Sequence, residues 1–312
     1  MSKYSEIAPK DQEKLKEFLG ELYTYVKVGD DVLDVGCSTG YFGKLLIETK
    51  GCHVDGVEID PEDAAKAKQI LSHVYSFDLD LEWPKEVYNK KYDVIFFGDV
   101  IEHLKYPEQS LRSCLNLLKN GGRLLISTPN IAHISTRLEL LTGNFNYEST
   151  GILDNTHLRL FTRETLEKLA SDSGYKIVDI DYSLVDFSPA VVNRTLKNIG
   201  LKSTPQFFEF INRPEARAYQ YKLVLQALGK GEKPAKIKPP LKPIQQHDVL
   251  GEEIIDLRSQ NTKLLRYIDE LSKALDASNK ALTDITNSKS WKLMTTAKKP
   301  YNKLVNLTKN KQ

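Results

Sequence analysis

The residues best placed to grip a small ligand are Asp34, Gly36 and Gly40, in the run Val32-Leu33-Asp34-Val35-Gly36-Cys37-Ser38-Thr39-Gly40. Glycines in a strand-to-helix turn let the backbone come close to a ligand, and the N–H groups opening the next helix can meet a carboxylate. Glu58 ends the following apolar run, where an acid can accept both hydroxyls of a ribose. Asp78 comes after the next, where it can hydrogen-bond an adenine amine, and Asp99 and Glu102-His103 follow a fourth. A glycine turn alone would suit a dinucleotide enzyme equally well. The acids that follow it narrow the choice, because all of them fall at the carboxyl edge of one sheet, where open α/β folds bind ligands.

The elements that must carry these residues alternate. Strands are predicted at Val32–Val35, Val54–Ile59, Val74–Phe77, Asp93–Phe97, Arg123–Ser127 and Tyr175–Tyr182. Helices are predicted over residues 11–26, Phe42–Thr49, Glu62–Leu71, Leu111–Leu118 (ended by Asn120-Gly121-Gly122) and Thr162–Ser173, the last opened by the capping pattern Thr162-Arg163-Glu164-Thr165. Such alternation implies right-handed crossovers and a mostly parallel sheet. Residues 189–211 look helical, within an insert of about 186–216, and Tyr219–Leu228 reads as a strand returning to the sheet edge.

Composition sets few limits. The chain has 312 residues, 40% hydrophobic and 28% charged, with a formal net charge of +2, as in ordinary globular proteins. Its three cysteines, Cys37, Cys52 and Cys114, have neither metal-ligand spacing nor a disulfide pattern, which suits a reducing cytoplasm. The first residues lack the apolar stretch of a signal peptide, and no apolar run reaches the ~20 residues that span a bilayer. Any membrane contact is therefore expected to be peripheral, at the inner face.

The joint pattern resembles the class I methyltransferases that use S-adenosylmethionine (SAM). The matching stretches are residues 32–42, Val57-Glu58-Ile59-Asp60, Phe77-Asp78, Asp93 to His103-Leu104, and Leu117 to Leu124 through Asn120-Gly121-Gly122. Ser38 stands where the family often has a third glycine, and Asn120 where it usually has proline. The resemblance covers about residues 30–230 and implies an α/β, Rossmann-like sheet of seven strands, the last reversed, with helices on both faces. It implies that Asp34, Gly36 and Gly40 hold the methionine moiety, Glu58 the ribose, and Asp78 and Leu79 the adenine, with Cys37, Ile59, Asp99 and His103 among the cofactor-binding residues.

A looser resemblance concerns the substrate. Ser127-Thr128-Pro129-Asn130-Ile131-Ala132-His133, Thr142-Gly143-Asn144-Phe145 and residues 151–162 look like methyltransferases of bacterial surface-polysaccharide synthesis. Asn287-Ser288-Lys289-Ser290-Trp291-Lys292-Leu293 is similar to an element that ends coiled coils in such sugar-transfer proteins. The acceptor implied is a sugar hydroxyl, with glycosyltransferases as possible partners. A hydroxyl is a poor nucleophile and gains from a general base near neutrality. His157, oriented by Asp154 or Glu102, is the leading candidate, and His133 the next. Asn130 and Arg159 are candidate acceptor contacts, and Arg137 or Arg159 could meet an acceptor phosphate or carboxylate.

The last third is organised differently. Residues 230–247 hold Pro234, Pro239, Pro240 and Pro243 among lysines and read as a stiff linker. Leu250, Ile254, Leu257, Asn261, Leu264, Ile268, Leu271, Leu275, Ser278, Leu282 and Ile285 form a heptad seam within 248–286. Isoleucine at a positions, leucine at d and Asn261 at an a position favour a parallel homodimer. Residues 287–312 mix lysines with Trp291, Leu293, Met294, Tyr301, Leu304, Val305 and Leu307, a composition suited to an anionic membrane surface.

Three other readings stay open. Asp99-Val100-Ile101-Glu102-His103 also resembles the metal-binding stretch of small-RNA 2′-O-methyltransferases. No metal and no nucleic acid are expected, because only Glu102, His103 and one histidine distant in sequence could serve as ligands. A non-catalytic coiled-coil assembly factor would have no need of Asp34, Gly36, Glu58 and Asp78. An NAD-dependent oxidoreductase gives no role to Asp78 or to the Gly121-Gly122 turn.

Overall fold

A computed structural model describes residues 19–229, together with 15–16, 231–232, 277–278 and 280. The chain divides into two compact units, Met1–Leu250 and Gly251–Gln312. The linker beyond residue 232, the heptad seam and the basic tail lie outside the described residues, apart from helical 277, 278 and 280.

Seven strands form one sheet in the order β3-β2-β1-β4-β5-β7-β6. They are β1 (Asp31–Val35), β2 (His53–Val57), β3 (His73–Tyr75), β4 (Tyr92–Gly98), β5 (Leu118–Pro129), β6 (Tyr175–Leu184) and β7 (Ala218–Ala227). The first five are parallel, and β7 runs antiparallel to both β5 and β6. This is the expected seven-stranded arrangement with a reversed last strand.

The central strands are apolar almost throughout because both faces are covered. Leu33, Ile95, Phe97, Leu124 and Ile126 share one core with Leu111 and Leu166. These last two come from the helices α4 (Pro107–Leu115) and α6 (Arg163–Asp172). Val32, Val94, Phe96 and Leu125 point to the other face, where Leu19, Leu22, Leu45, Leu46 and Ala67 cover them. The helices on that side are α1 (Glu21–Thr24), α2 (Tyr41–Lys50) and α3 (Pro61–Ala67).

Four expectations change. Leu15, Leu19, Leu22 and Val26 of the helix predicted over residues 11–26 are buried, but that helix is interrupted at Gly20, whose φ is 54°. Next, α4 covers Pro107–Leu115 rather than 111–118, started by Pro107 at a position where its missing N–H costs nothing. Asn120-Gly121-Gly122 does not end that helix. It lies inside β5, whose pairing with β4 jumps from Tyr92–Leu118 to Val94–Arg123. A Cβ on Gly122 would meet Lys119 O at 2.9 Å and Tyr92 O at 3.1 Å, so only glycine fits that irregularity.

The insert is three helices rather than one: α7 (Pro189–Asn198), α8 (Pro205–Ile211) and α9 (Pro214–Arg217). Each begins with proline at its first turn, and Gly200 separates the first two at a φ of 77°. Val192, Leu196 and Ile211 pack on Ile134 and Leu138 of α5 (Ile134–Leu141), a small core of their own beside the carboxyl end of β5.

Candidate active site

The glycine turn is shaped by contacts rather than by propensity alone. Gly36 has a φ of 73°, and a Cβ there would lie 2.5 Å from Val100 Cγ2. The N–H groups of Gly36 and Cys37 both donate to Val57 O, at 2.8 and 3.0 Å, and so lock the ends of β1 and β2 together. Gly40 caps α2 at a φ of 80°. Ser38 holds a φ of 48°, the left-handed region where glycine is the easier residue. The family's frequent glycine at this position thus has a conformational reason. The Cys37 thiol is buried in the core under α2, so this residue shapes the turn through its packing and backbone.

Acids surround the turn. Glu58 accepts from Ser38 N and from Asp60 N, each at 2.8 Å, and burial raises its pKa. Asp34 is buried, and its Oδ2 has no hydrogen-bond partner. Burial, reinforced by the charge of Glu58, pushes its pKa up to about 8. Asp99, at a φ of 54°, is held by Ser127 Oγ at 3.0 Å and Gln220 Nε2 at 2.5 Å. Asp78 is exposed and accepts from Asp80 N at 2.9 Å, and Leu79 packs against the core. Ile59 is exposed.

An orphaned buried carboxylate, a cluster of acids and a turn that no side chain can fill fit SAM, which carries an ammonium, a sulfonium and a ribose diol. Asp34, Glu58, Asp78 and Leu79 would hold it, as the sequence reading has it.

The acidity has a measurable consequence. A carboxyl whose pKa is higher in the folded chain than in the unfolded one binds more protons when folded. Its contribution to stability is therefore fully present below the ordinary carboxylate range and lost as pH rises toward about 8. A cationic ligand favours the ionised form, so SAM binding at pH 7 should release a proton. Calorimetry in two buffers of different ionisation enthalpy reads this directly, and Asp34→Asn should abolish it. Equal heats in both buffers with the unmutated chain would contradict the assignment.

A second constellation lies past β4. The N–H groups of Leu158 and Arg159 donate to Glu102 O at 2.8 and 2.9 Å, which clamps residues 154–160 beside Glu102-His103. His157 Nδ1 meets Ile152 O at 2.9 Å and His103 Nδ1 meets Thr156 O at 3.1 Å. A carbonyl can only accept, so in both rings Nδ1 carries the proton and Nε2 the lone pair. The rings meet edge to face with centroids 4.8 Å apart. Glu102 is buried; its Oε2 accepts from Thr128 Oγ1 at 3.1 Å and its Oε1 has no partner. Glu102, His103 and His157 each offer one donor atom within 4.8 Å of the others. The histidine distant in sequence that could serve beside Glu102-His103 is thus His157, a neighbour in space, and three metal-capable donors converge although no metal was expected.

Other candidates take structural parts. His133 is almost fully buried: Nδ1 accepts from Ser135 N, capping α5, and Nε2 meets Val185 O at 3.1 Å. Neither nitrogen is left to take a proton from an acceptor, which removes it as a base. Asn130 is fully buried, giving Nδ2 to Glu215 O and Ala218 O and accepting from Ala132 N. It braces the insert against β5 instead of touching an acceptor. Asp154 accepts from Thr156 N and Oγ1, at 2.8 and 2.7 Å, and the carbonyl of Ile152 orients the His157 ring. Arg159 is exposed and spans to Lys105 O through Nε and Nη2. Asp80 escaped the sequence reading. It takes the N–H groups of Lys105 and Tyr106 at 2.9 and 2.8 Å, tying the loop after β3 to the loop after β4, and Asp78-Leu79-Asp80 was the available signal.

A doubly wound sheet with a glycine turn and acids along its carboxyl edge defines a protein that binds an adenosine-type ligand. The chain belongs to the methyltransferase-domain family, whose model matches residues 7–180. It is an enzyme of the SAM-dependent kind, with SAM as cofactor. It is 23% identical over 195 residues to a ubiquinone biosynthesis O-methyltransferase of Aeromonas salmonicida, covering 60% of this chain and 78% of that protein. It is 28% identical over 107 residues to a tRNA U34 carboxymethyltransferase of Desulfotalea psychrophila, covering 33% of each. A solved SAM-dependent methyltransferase from Archaeoglobus fulgidus matches 69% of this chain and 94% of its own, at 21% identity and a TM-score of 0.48. Among the described residues no helix is long and apolar enough to cross a membrane.

Proposed function

We propose that this enzyme methylates a hydroxyl oxygen of a sugar, in a surface polysaccharide or in its lipid- or nucleotide-linked precursor. The observation that carries the reading is the His157 ring, held by Ile152 O with Nε2 as the lone-pair nitrogen among Glu102, His103 and Thr128. The resemblance of residues 127–133 and 151–162 supplies the sugar, and the Aeromonas relative is by name an O-methyltransferase.

SAM, when bound, supplies a methyl group on a positively charged sulfur. Held by Asp34, Glu58, Asp78 and Leu79, it would give that methyl to the acceptor oxygen, with the electron pair of the broken carbon–sulfur bond left on its own sulfur. His157 Nε2 takes the hydroxyl proton. Asp34 and Glu58 fix the donor, and the clamp of residues 154–160 on Glu102 O fixes the base. Labelled-methyl transfer to a panel of sugar acceptors, together with mass spectrometry of the surface glycan from a deletion strain, tests the substrate. An unchanged glycan would refute it.

A second reading uses the same three side chains to hold a divalent cation for metal-assisted transfer to a ribose 2′-hydroxyl. In its favour, each histidine donates Nδ1–H to a carbonyl, the usual arrangement behind a metal-bound Nε2. Glu102→Gln separates the two readings. It keeps shape and hydrogen bonding and removes a ligand charge, so activity should stay within about threefold of the parent under the base reading and be lost with the metal under the other. EDTA should leave activity intact in the first case.

The reading extends to the last third of the chain. Residues 250–285 dimerise the enzyme and residues 287–312 hold it at an anionic membrane face. Removing residues 286–312 should release the protein from anionic vesicles in a flotation assay while activity on a soluble acceptor persists. Equal flotation of the truncated and full chains would end the membrane proposal.

A further inference from the structure

Arg137, Phe210 and Arg213 take no part in the proton-transfer cluster or the SAM turn. With Pro214, Glu215 and Ala216 they line a cavity of about 490 Å³. Both guanidinium groups lie against the Phe210 ring, 5.2 and 5.5 Å from its centroid. Arg137 Nε donates to Ala132 O at 2.5 Å, which sets the plane of its guanidinium. Among the described residues neither Arg137 nor Arg213 has a carboxylate partner. The acid of the cavity, Glu215, is neutralised from elsewhere by Arg163 Nη1 at 2.9 Å.

Arg137 is partly buried, and that burial lowers its pKa, a sign that its charge is held out of water without full compensation. The site therefore has two planar cations without a carboxylate partner, both against one aromatic ring.

The place is right for an acceptor. Helix α5, which carries Arg137, leaves the carboxyl end of β5, where Thr128 holds Glu102. Asn130, at that same strand end, fixes the cavity wall through Glu215 O.

We propose that this cavity binds the phosphate or diphosphate of the acceptor, with Arg137 and Arg213 as its two cationic arms, so that the enzyme methylates an activated sugar before it enters a finished chain. The proposal rests on the sugar O-methyltransferase reading and narrows it. Guanidinium forks match phosphate oxygens in pairs. Two of them facing one ring suit a doubly charged group better than a single carboxylate. Nucleotide-linked and lipid-linked sugars share this chemistry.

The test uses the full chain with SAM present and inorganic pyrophosphate as probe, titrated by calorimetry. Each of Arg137→Gln and Arg213→Gln should weaken pyrophosphate binding by about tenfold or more, the scale of a lost charged hydrogen bond. Lys202→Gln, an exposed change in the insert away from the cavity, should leave it unchanged. Arg213 is exposed, so its variant keeps the test valid if Arg137→Gln folds poorly. A nucleoside diphosphate and a polyisoprenyl diphosphate in detergent, titrated in parallel, identify the source of the phosphate. Pyrophosphate binding that survives the Arg213 change, or no binding by a chain that still binds SAM, overturns the subsite alone. A chain that fails to bind SAM would instead overturn the reading beneath it.

Discussion

Gly36→Ala should cost the enzyme its cofactor while leaving the sheet folded. Two separate effects act at this position. A side chain at a φ of 73° is in the left-handed region, which costs an alanine about 1–2 kcal/mol. The new Cβ would also sit 2.5 Å from Val100 Cγ2, well inside van der Waals contact. Valine is stiff at χ1 and cannot swing its methyl aside cheaply, so the turn itself must move. The Gly36 and Cys37 N–H bonds to Val57 O move with it, and the turn that would meet the methionine end of SAM is lost. We expect the Kd for SAM to rise at least about tenfold, or 1.4 kcal/mol, against a modest fall in melting temperature. Gly51→Ala is the control. Its φ is 61° but nothing lies within 4 Å of the new Cβ, so it should pay the strain and keep the affinity. Adding Val100→Ala to Gly36→Ala should recover part of the binding. An unchanged Kd in Gly36→Ala would mean that the turn tolerates displacement and that the acids alone hold the ligand.

The fold was legible because its signals were local and periodic. Apolar runs such as Asp93–Phe97 can only be strands covered on both faces, and their alternation with helices leaves few topologies. What failed was set by contacts across the sheet. Asn120-Gly121-Gly122 reads as a helix stop because glycine and asparagine favour that role. Only the pairing of Leu118 with Tyr92 reveals it as a bulge. The acids at the ends of β1 and β2 were found from their position after a strand, which is a backbone property. His133 and Asn130 were misassigned because a polar residue after a strand looks the same in sequence whether it faces a ligand or satisfies buried backbone groups. The approach of His157 to Glu102 was proposed from chemistry alone, since about fifty residues separate it from His103; the backbone bonds from Leu158 and Arg159 to Glu102 are what bring them together.

His157→Gln should lower kcat by about 10²- to 10⁴-fold, the usual contribution of a general base, with the Kd for SAM unchanged. Glutamine can keep a hydrogen bond to Ile152 O but cannot take a proton, so the clamp should survive while the chemistry does not. His133→Gln should behave in the opposite way. Its ring caps α5 and bonds to Val185 O, so the cost should fall on stability, about 1 kcal/mol for the cap alone, with kcat close to that of the parent. Measuring kcat, SAM affinity and melting temperature for both variants separates a proton acceptor from a structural histidine. If His157→Gln kept full turnover, the base would lie elsewhere. His103 would then be the next group to change, because its Nδ1 is held by Thr156 O in the same way and its ring touches that of His157. Loss of turnover in His157→Gln alone would assign the proton to the histidine that the clamped loop itself carries beside Glu102, oriented by Ile152 O.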